Sequence, residues 1–250
     1  MTVIFVLPAY DEAENLGSLL DNVKAAMGAA GLAYKIVVID DGSKDPTYAV
    51  ARRYAEHMPI VIEQNMPNQG LAAALRKGFI RAAALAAPDD VIVTMDADNT
   101  HTPAQVPQLL AALQPGVDVV VASRYRRGAE IYGLSASRKA LSRGAALLFQ
   151  IFFPMRGVRD YTCGYRACRA ELLQRALRLY GDDFVSERGF SCVADTLLKL
   201  NRLGGRVAEI PLVLRYDLKQ GRSKMAVVRT TLQTLWLLVR RRLSIGIVRA

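Results

Sequence analysis

The chain has few cysteines and no long hydrophobic run, and each absence narrows what it can be. Its 250 residues include three cysteines, which do not have the spacing of a zinc site. An odd number of thiols cannot pair completely, so a reducing compartment is the simple inference. No uncharged apolar run approaches the roughly 20 residues that span a bilayer. The first residues read directly as a strand, without a basic segment before it, so we expect no secretory signal.

Two common phosphate-binding motifs are also missing. The sequence contains neither the Gly-x-x-x-x-Gly-Lys-Ser/Thr loop nor the Gly-x-Gly-x-x-Gly fingerprint. Kinase-like and NAD-dependent activities therefore lose support. There is no internal repeat and no stretch of linker composition, so we expect a single domain.

Acidic residues are outnumbered by basic ones. The chain has 33 Lys and Arg against 23 Asp and Glu, which gives a net charge of +10. Such an excess indicates an anionic partner: nucleic acid, a membrane surface or a phosphorylated substrate. Few aromatic residues alternate with the arginines and no nucleic-acid module is recognisable, so we expect no nucleic-acid partner.

Short apolar runs and amphipathic stretches alternate over the first half of the chain. This pattern predicts an α/β fold with a doubly wound, mostly parallel sheet and helices on both faces. The alternation weakens beyond residue 125. There we expect a loop at residues 126–137, a turn at 160–166 that leads directly into a helix, and a single strand at 206–214.

These features divide the chain into three parts. Residues 1–125 are predicted to form a nucleotide-binding half and residues 126–225 an acceptor-facing half of one domain. Residues 226–250 are predicted to carry a C-terminal amphipathic helix with a basic end. That helix either lies on anionic lipid or packs on its own domain or on a partner subunit.

The run Val91–Met95 is apolar and β-branched, and it ends in two carboxylates, Asp96 and Asp98. A strand of this kind is typically buried. Side chains two residues apart on an extended chain point the same way, so the carboxylates could converge on one ion. Oxygen ligands of this kind suit Mg²⁺ or Mn²⁺. The alternative is that both acids cap the following turn.

Acids follow other predicted strands as well. The segments Pro8–Glu12, Asp40–Ser43, Asp96–Thr100 and Ser123–Arg124 all fall at strand carboxyl ends, where open α/β sheets bind ligands. Carboxylates placed together raise one another's pKa unless a cation compensates. A nucleoside diphosphate with a divalent ion supplies that cation. Asp40 or Asp41 could then accept from the base or ribose, or could simply form an Asx turn.

The order of motifs along the chain resembles that of the family 2 inverting glycosyltransferases. It is most similar to their polyprenyl-phosphate branch, which includes the dolichol-phosphate mannose synthases. The motifs are Leu7-Pro8-Ala-Tyr10-Asp-Glu12-Ala-Glu-Asn-Leu16, Asp40-Asp41-Gly-Ser43, Gly70-Leu-Ala-Ala-Ala74, Asp96-Ala97-Asp98, Ser123-Arg124-Tyr125, Asp160-Tyr-Thr-Cys-Gly-Tyr-Arg166 and Gly221-Arg-Ser-Lys224.

The resemblance implies a GT-A fold and a nucleotide-sugar donor, linked to GDP or UDP. Mg²⁺ or Mn²⁺ would lie on Asp96 and Asp98. The chain departs from the branch where Thr100 replaces a metal-assisting glutamine and Leu218 replaces an arginine. The residues implied to bind the nucleotide sugar are Pro8, Tyr10, Glu12, Asp40, Asp41, Gly70, Asp96 and Ala97.

The acceptor implied by the resemblance is a polyprenyl or dolichyl phosphate. A lipid monophosphate, with a second pKa of about 6, is already an oxyanion near neutral pH. It needs cations to hold it in line rather than a general base. We expect Asp98, Arg124 and Lys224 to be catalytic. The residues expected to bind the acceptor phosphate are Arg124, Arg138, Ser142 and Lys224.

Two other functions remain open. With a hydroxyl acceptor a base would be required, and Asp195 is the carboxylate that the sequence suggests. A non-catalytic basic module that binds membrane or nucleic acid is the third hypothesis. We expect the protein to be cytoplasmic and peripheral on the cytoplasmic face of a membrane. The sequence leaves open whether it forms a homo-oligomer or needs a membrane subunit. His101 is expected to make a local hydrogen bond, and the cysteines to be inert.

Overall fold

The computed structural model of the chain describes residues 1–187 and 189–221, without the side chains of Ser137 and Arg138. Lys224 and the predicted C-terminal helix at residues 226–250 lie outside the described residues, as does the Arg138 side chain. Within the described part, none of the helices is long and apolar enough to cross a bilayer.

Strands and helices alternate in the described residues as the sequence predicts. The strands are β1 Val3–Ala9, β2 Tyr34–Asp40, β3 Ile60–Gln64, β4 Val91–Thr94, β5 Val119–Ser123, β6 Glu130–Tyr132, β7 Arg166–Arg169, β8 Val207–Pro211 and β9 Val213–Arg215. The helices are α1 Ala13–Ala29, α2 Thr47–Ala55, α3 Leu71–Leu85, α4 Val106–Ala112, α5 Ala136–Phe152, α6 Ala170–Tyr180 and α7 Ser191–Arg202. Short 3-10 helices cover Pro103–Gln105, Gly181–Val185 and Tyr216–Leu218.

Seven of these strands form one sheet in the order β3-β2-β1-β4-β7-β5-β8. All neighbouring pairs are parallel except those of β7, which runs antiparallel to β4 and β5. The doubly wound, mostly parallel sheet predicted from the alternation is therefore confirmed. Helices α1, α2 and α4 cover one face, and α3, α6 and α7 cover the other.

The strand β7 replaces part of the expected turn at residues 160–166 and of the helix after it. The sequence conceals this strand because it is four residues long and has an arginine at each end, Arg166 and Arg169. Its burial comes from its central place between β4 and β5, which the local pattern does not show.

A second, two-stranded sheet pairs β6 with β9 in parallel. The expected loop at 126–137 thus contains a strand and the start of α5, and the expected single strand at 206–214 is two strands. Leu212 is the residue that changes sheets, since its N–H donates to Ser123 and its carbonyl accepts from Glu130. Pro211 costs the sheet no ladder bond, because β8 is an edge strand and the neighbouring Leu212 N–H makes the bond to Ser123.

Helix α3 lies very close to the sheet, which positions its N-terminus at the carboxyl ends of the strands. A Cβ at Gly78 would lie 2.5 Å from Val6 Cγ1 on β1. Only glycine allows this approach. On the opposite layer, α1 buries Leu16, Leu19 and Val23 at the spacing of an amphipathic helix.

Candidate active site

The loops that follow β1, β2, β4 and β5 meet at the carboxyl edge of the sheet. Two of them contain the non-glycine residues with positive φ in the described part of the chain, Asp11 at 49° and Asn99 at 59°. Such backbone is sparsely populated and is concentrated at functional sites. This edge is therefore the candidate site, as the sequence predicted.

Asp98 is buried, and its two oxygens have different partners. Oδ1 accepts from the Thr100 N–H at 3.2 Å and from the Thr100 hydroxyl at 2.7 Å. Oδ2 pairs with the Lys219 ammonium at 2.6 Å. One oxygen thus caps the turn, as the alternative interpretation expected, while the other pairs with an ammonium. The metal role of Asp98 stays a prediction.

Asp96 is half-buried beside Asp98. Its N–H donates to Nδ1 of His101 at 3.1 Å, and the His101 ring stacks on Tyr165 with a centroid distance of 5.0 Å. His101 therefore makes the local hydrogen bond that we expected.

The charges of these groups shape their pKa values. Burial raises the pKa of Asp96, and the neighbouring Asp98 carboxylate adds to this rise. Burial acts on Asp98 too, but Lys219 and the Thr100 hydroxyl outweigh it and lower the pKa of Asp98. Burial likewise disfavours the charged form of Lys219, yet its attraction to Asp98 leaves the pKa of Lys219 raised. The pair of acids therefore needs a cation nearby.

At the end of β2, Asp41 organises the neighbouring loop. Its carboxylate accepts from the side-chain amides of Asn65 and Asn68, at 2.8 and 2.9 Å, and from two backbone N–H groups. One of these belongs to Gly70, whose φ of 88° starts α3. With four donors in place, Asp41 supports the loop, and its expected contact with the nucleoside stays a prediction.

Asp40 is fully buried at the same strand end. It accepts from the Ser43 N–H at 3.1 Å and from the Gln64 amide at 2.8 Å. The Ser43 bond is the turn-forming interaction that was the alternative to nucleoside contact. Glu12, after β1, accepts from Asn15 at 2.8 Å and donates its own N–H to Thr47 at 2.8 Å.

Arg124 is paired with Asp160, a residue whose part in the site the sequence did not reveal. The guanidinium donates to both Asp160 oxygens, at 2.8 and 2.7 Å, and to the Thr162 hydroxyl at 2.6 Å. Asp160 is completely buried and also accepts the Arg124 N–H at 3.0 Å. Arg124 is thus held rigidly rather than free to move, with its charge balanced by Asp160.

A second carboxylate holds the Asp160 turn in place. Glu209 Oε1 accepts the N–H groups of Arg159 and Asp160 at 2.7 and 2.6 Å. Glu209 therefore fixes the Asp160 turn, and Asp160 in turn fixes the position of the Arg124 guanidinium. The only sequence signal was that Asp160 opens one of the recognised motifs.

A cavity of about 650 Å³ extends from the Asp96 and Arg124 side chains into the domain. Such a volume suits a small-molecule site. Ser142 lines it and shares a 2.5 Å hydrogen bond with the Tyr125 hydroxyl. Pro8 also lines the cavity, and many of its other walls are apolar, among them Leu71, Leu75, Phe79, Leu141, Leu148 and Phe190.

Comparison with known proteins identifies the family. The profile of glycosyl transferase family 2 matches residues 4–177. The chain belongs to this family. The family expected from the order of motifs is therefore confirmed, and the protein is a glycosyltransferase.

Several family 2 relatives are similar over most of this chain. A dolichol-phosphate mannosyltransferase from Pyrococcus furiosus is 31% identical over 90% of this chain, which spans 59% of that longer protein. An undecaprenyl-phosphate mannosyltransferase from Micrococcus luteus is 33% identical over 90% of this chain and 88% of its own. A polyprenol monophosphomannose synthase from Mycolicibacterium smegmatis is 31% identical, with coverages of 89% and 80%.

Solved structures of another enzyme match the fold. Glucosyl-3-phosphoglycerate synthase from Mycobacterium tuberculosis, in complex with Mn²⁺, uridine diphosphate and phosphoglyceric acid, superposes with a TM-score of 0.67 over 96% of this chain and 78% of its own. The same synthase in complex with Mg²⁺ and uridine diphosphate superposes with a TM-score of 0.65, over 95% of this chain and 79% of its own. Identities are 23% and 20%, so the likeness concerns the fold, and the GT-A arrangement is confirmed.

The residues at this site could hold a divalent ion through two protein ligands, Asp96 and Asp98. Among the described residues, no group of three or more His, Cys, Asp or Glu side chains could hold a metal. Asp96 and Asp98 would therefore share the ion with donor phosphates and water, as Mg²⁺ commonly does. The ammonium on Asp98 Oδ2 shows that this oxygen accommodates a cation. Thr100 is engaged with Asp98 and supports it, rather than adding a ligand.

The expectation that Asp195 could act as a general base is wrong. Asp195 is buried in α7 and forms an ion pair with Lys199 at 2.6 Å, one helical turn away. Lys199 also donates to the carbonyls of Asp183 and Phe184. Asp195 is not among the described residues that line the cavity.

All three cysteines are expected to resist modification in the folded protein. Cys163, Cys168 and Cys192 are buried, and burial raises the pKa of each thiol to about 12. Because the thiolate is the reactive form, an aromatic disulfide reagent at pH 8 should label none of them in the native state. In denaturant it should label three thiols per chain. Rapid labelling of the native protein would contradict this burial.

Proposed function

We propose that this glycosyltransferase transfers a hexose, with inversion, from a nucleotide diphosphate sugar to a polyprenyl phosphate at a membrane surface. The observation that carries the proposal is the geometry of the cavity. The Asp96 carboxylate and the guanidinium of Arg124 line the cavity, and many of its other walls are apolar. Asp98 lies beside Asp96 with one oxygen on the Lys219 ammonium, and Asp160 holds the Arg124 guanidinium in place. The names of the relatives at 31–33% identity support the same acceptor class.

On the donor side, Asp96 and Asp98 would hold Mg²⁺ or Mn²⁺, which would neutralise the charge that develops on the leaving diphosphate. Pro8, Tyr10, Glu12 and Asp40 would surround the nucleoside. Ala97, which follows β4, and Gly70, at the start of α3, would contribute backbone. Asp41 would act through the loop that it organises, since it binds the Gly70 N–H.

On the acceptor side, the described residues favour a phosphate over a hydroxyl. A hydroxyl would need a base, yet Asp96 is the only carboxylate among the described residues that line the cavity. His101 also lines it, but its Nδ1 accepts the Asp96 N–H, so a neutral ring carries its proton on Nε2 and cannot accept another there. A phosphate oxyanion needs no base, and Arg124 would hold it in line.

The transfer itself tests the proposal. Purified chain, Mn²⁺ or Mg²⁺ and a panel of GDP- and UDP-linked hexoses should convert polyprenyl phosphate in anionic vesicles into a lipid-linked sugar. The matching polyprenol, which lacks the phosphate, should give no product, and soluble sugars should give none either. The protein should sediment with the vesicles, because Leu141, Leu147 and Ile151 on α5 are 50, 58 and 63% exposed. Equal transfer to polyprenol would refute a phosphate acceptor.

A further inference from the structure

Lys219 lies beside the Asp96–Asp98 pair, on the segment that follows β9. Its Nζ lies 2.6 Å from Asp98 Oδ2, and the two side chains are only 10% and 12% exposed. The other Asp98 oxygen is taken by Thr100. Asp98 therefore has one oxygen left for a cation, and in this structure the ammonium of Lys219 takes that place.

The backbone around Lys219 is anchored independently of its side chain. On one side, the Arg215 N–H donates to the Thr100 carbonyl at 2.9 Å. On the other, the Gln220 N–H donates to Asn15 Oδ1 at 2.9 Å, and Asn15 Nδ2 donates back to the Gln220 carbonyl at 3.1 Å. Lys219 can therefore leave Asp98 by rotation of its side chain, without release of this segment.

Other basic groups of the same segment do not reach the acids. Arg215 is half-buried and paired with Asp217 at 2.8 Å, and position 218 is a leucine. In the part of this segment that the structure describes, Lys219 is the basic residue that contacts the Asp96–Asp98 pair. A lysine suits an exchange of partners, because it carries a compact charge on a flexible stem.

We infer that Lys219 is an exchangeable cation of the donor site. It neutralises Asp98 in the absence of donor, is displaced by the divalent ion, and then pairs with the diphosphate that the ion brings. The second half of this exchange rests on the proposed donor. A divalent ion and an ammonium on one carboxylate oxygen repel each other strongly at such short range. The nearest new anion is the diphosphate itself, so Lys219 opposes binding of the ion alone and favours binding of the ion with nucleotide.

Removal of the ammonium should therefore change the two affinities in opposite directions. The variant Lys219→Met keeps the stem and loses the charge. Its Mn²⁺ affinity without nucleotide, measured by calorimetry or electron paramagnetic resonance, should rise about fivefold or more as the competing cation disappears. With Mn²⁺ saturating, its affinity for GDP or UDP should fall about tenfold, since a charge-assisted contact to the phosphates is lost.

The matched control is Lys35→Met, at the exposed start of β2 and at the opposite edge of the sheet from the site. It removes the same charge and should change neither affinity. Lys219→Arg, which restores the charge, should recover most of the nucleotide affinity. Thermal unfolding of each variant shows that it is folded.

The binding measurements test the exchange of Lys219 separately from the proposed donor. Mn²⁺ binding by Lys219→Met that equals that of Lys35→Met, or is weaker or undetectable, overturns the displacement of Lys219. Tighter Mn²⁺ binding with unchanged nucleotide affinity overturns the contact to the diphosphate. If no variant binds either nucleoside diphosphate, the proposed donor fails, whereas the Mn²⁺ comparison still tests the competition at Asp98.

Discussion

Replacing Asp98 with asparagine is expected to lower sugar transfer by about 10²–10³-fold while the protein stays folded. Asparagine has the shape of aspartate, and its carbonyl oxygen can still accept the two Thr100 bonds that hold the turn. The substitution removes the negative charge at the position of Oδ2, the oxygen that pairs with the Lys219 ammonium. Turnover with saturating Mn²⁺ and nucleotide sugar measures the effect, and circular dichroism with a thermal melt checks the fold.

Asp217→Asn is the control for this change. Asp217 is a carboxylate of the same part of the chain, but it is exposed and paired with Arg215 rather than with the metal end of the site. Its removal subtracts the same charge and should leave turnover within about twofold, as for exposed ion pairs in general. Activity in Asp98→Asn equal to that of Asp217→Asn would remove the metal role of the Asp96–Asp98 pair.

The part of the site on the strand ends could be predicted from the sequence because its signals are local. The buried run Val91–Met95 stops at Asp96 and Asp98, and a strand that ends in acids places them at the ligand edge of any open α/β sheet. The same rule located Asp40 and Arg124. Each inference needed only a short stretch of chain and a general property of the fold.

The partners of those residues could not be predicted because they come from distant parts of the chain. Lys219 pairs with Asp98 across 121 residues, and Asp160 pairs with Arg124 across 36. The resemblance to the family pointed instead to position 218 and to Lys224. Similarly, β7 is a strand only because β4 and β5 flank it, since its own four residues show no apolar alternation. Tertiary contacts, rather than local propensity, determine the two ion pairs and the strand β7.

Loss of the Asp160 charge is expected to destabilise the protein more than any other single change at the site. In Asp160→Asn, the guanidinium of Arg124, whose side chain is only 18% exposed, would keep most of its desolvation penalty and lose its counter-charge. Breaking a buried pair in this way typically lowers the free energy of unfolding by about 3–5 kcal/mol. Urea denaturation at pH 7 measures the loss. Transfer should fall too, because Arg124 would no longer be fixed by its two bonds to the carboxylate.

The loss should depend on pH in a direction that the pKa of Asp160 determines. Although burial favours the neutral acid, Arg124 outweighs it and holds the pKa of Asp160 below its ordinary value of 3.8. A depressed carboxyl pKa stabilises the fold above the unfolded pKa and loses this contribution as pH falls through the folded value. The gap between wild type and Asp160→Asn should therefore stay constant from pH 7 to about 5 and narrow below 3.8.

A double-mutant cycle distinguishes a lost charge pair from general damage to the turn. Arg124→Met alone leaves the Asp160 carboxylate buried without its cation, and the double variant Arg124→Met/Asp160→Asn leaves neither charge. If the pair acts as a unit, the double variant should be more stable than the sum of the two single losses predicts, by about 1–3 kcal/mol. It should still lack transfer, because the guanidinium is absent. Strictly additive losses would mean that Asp160 stabilises the Thr162–Cys163 turn through its backbone bonds alone, and that Arg124 is held by other contacts.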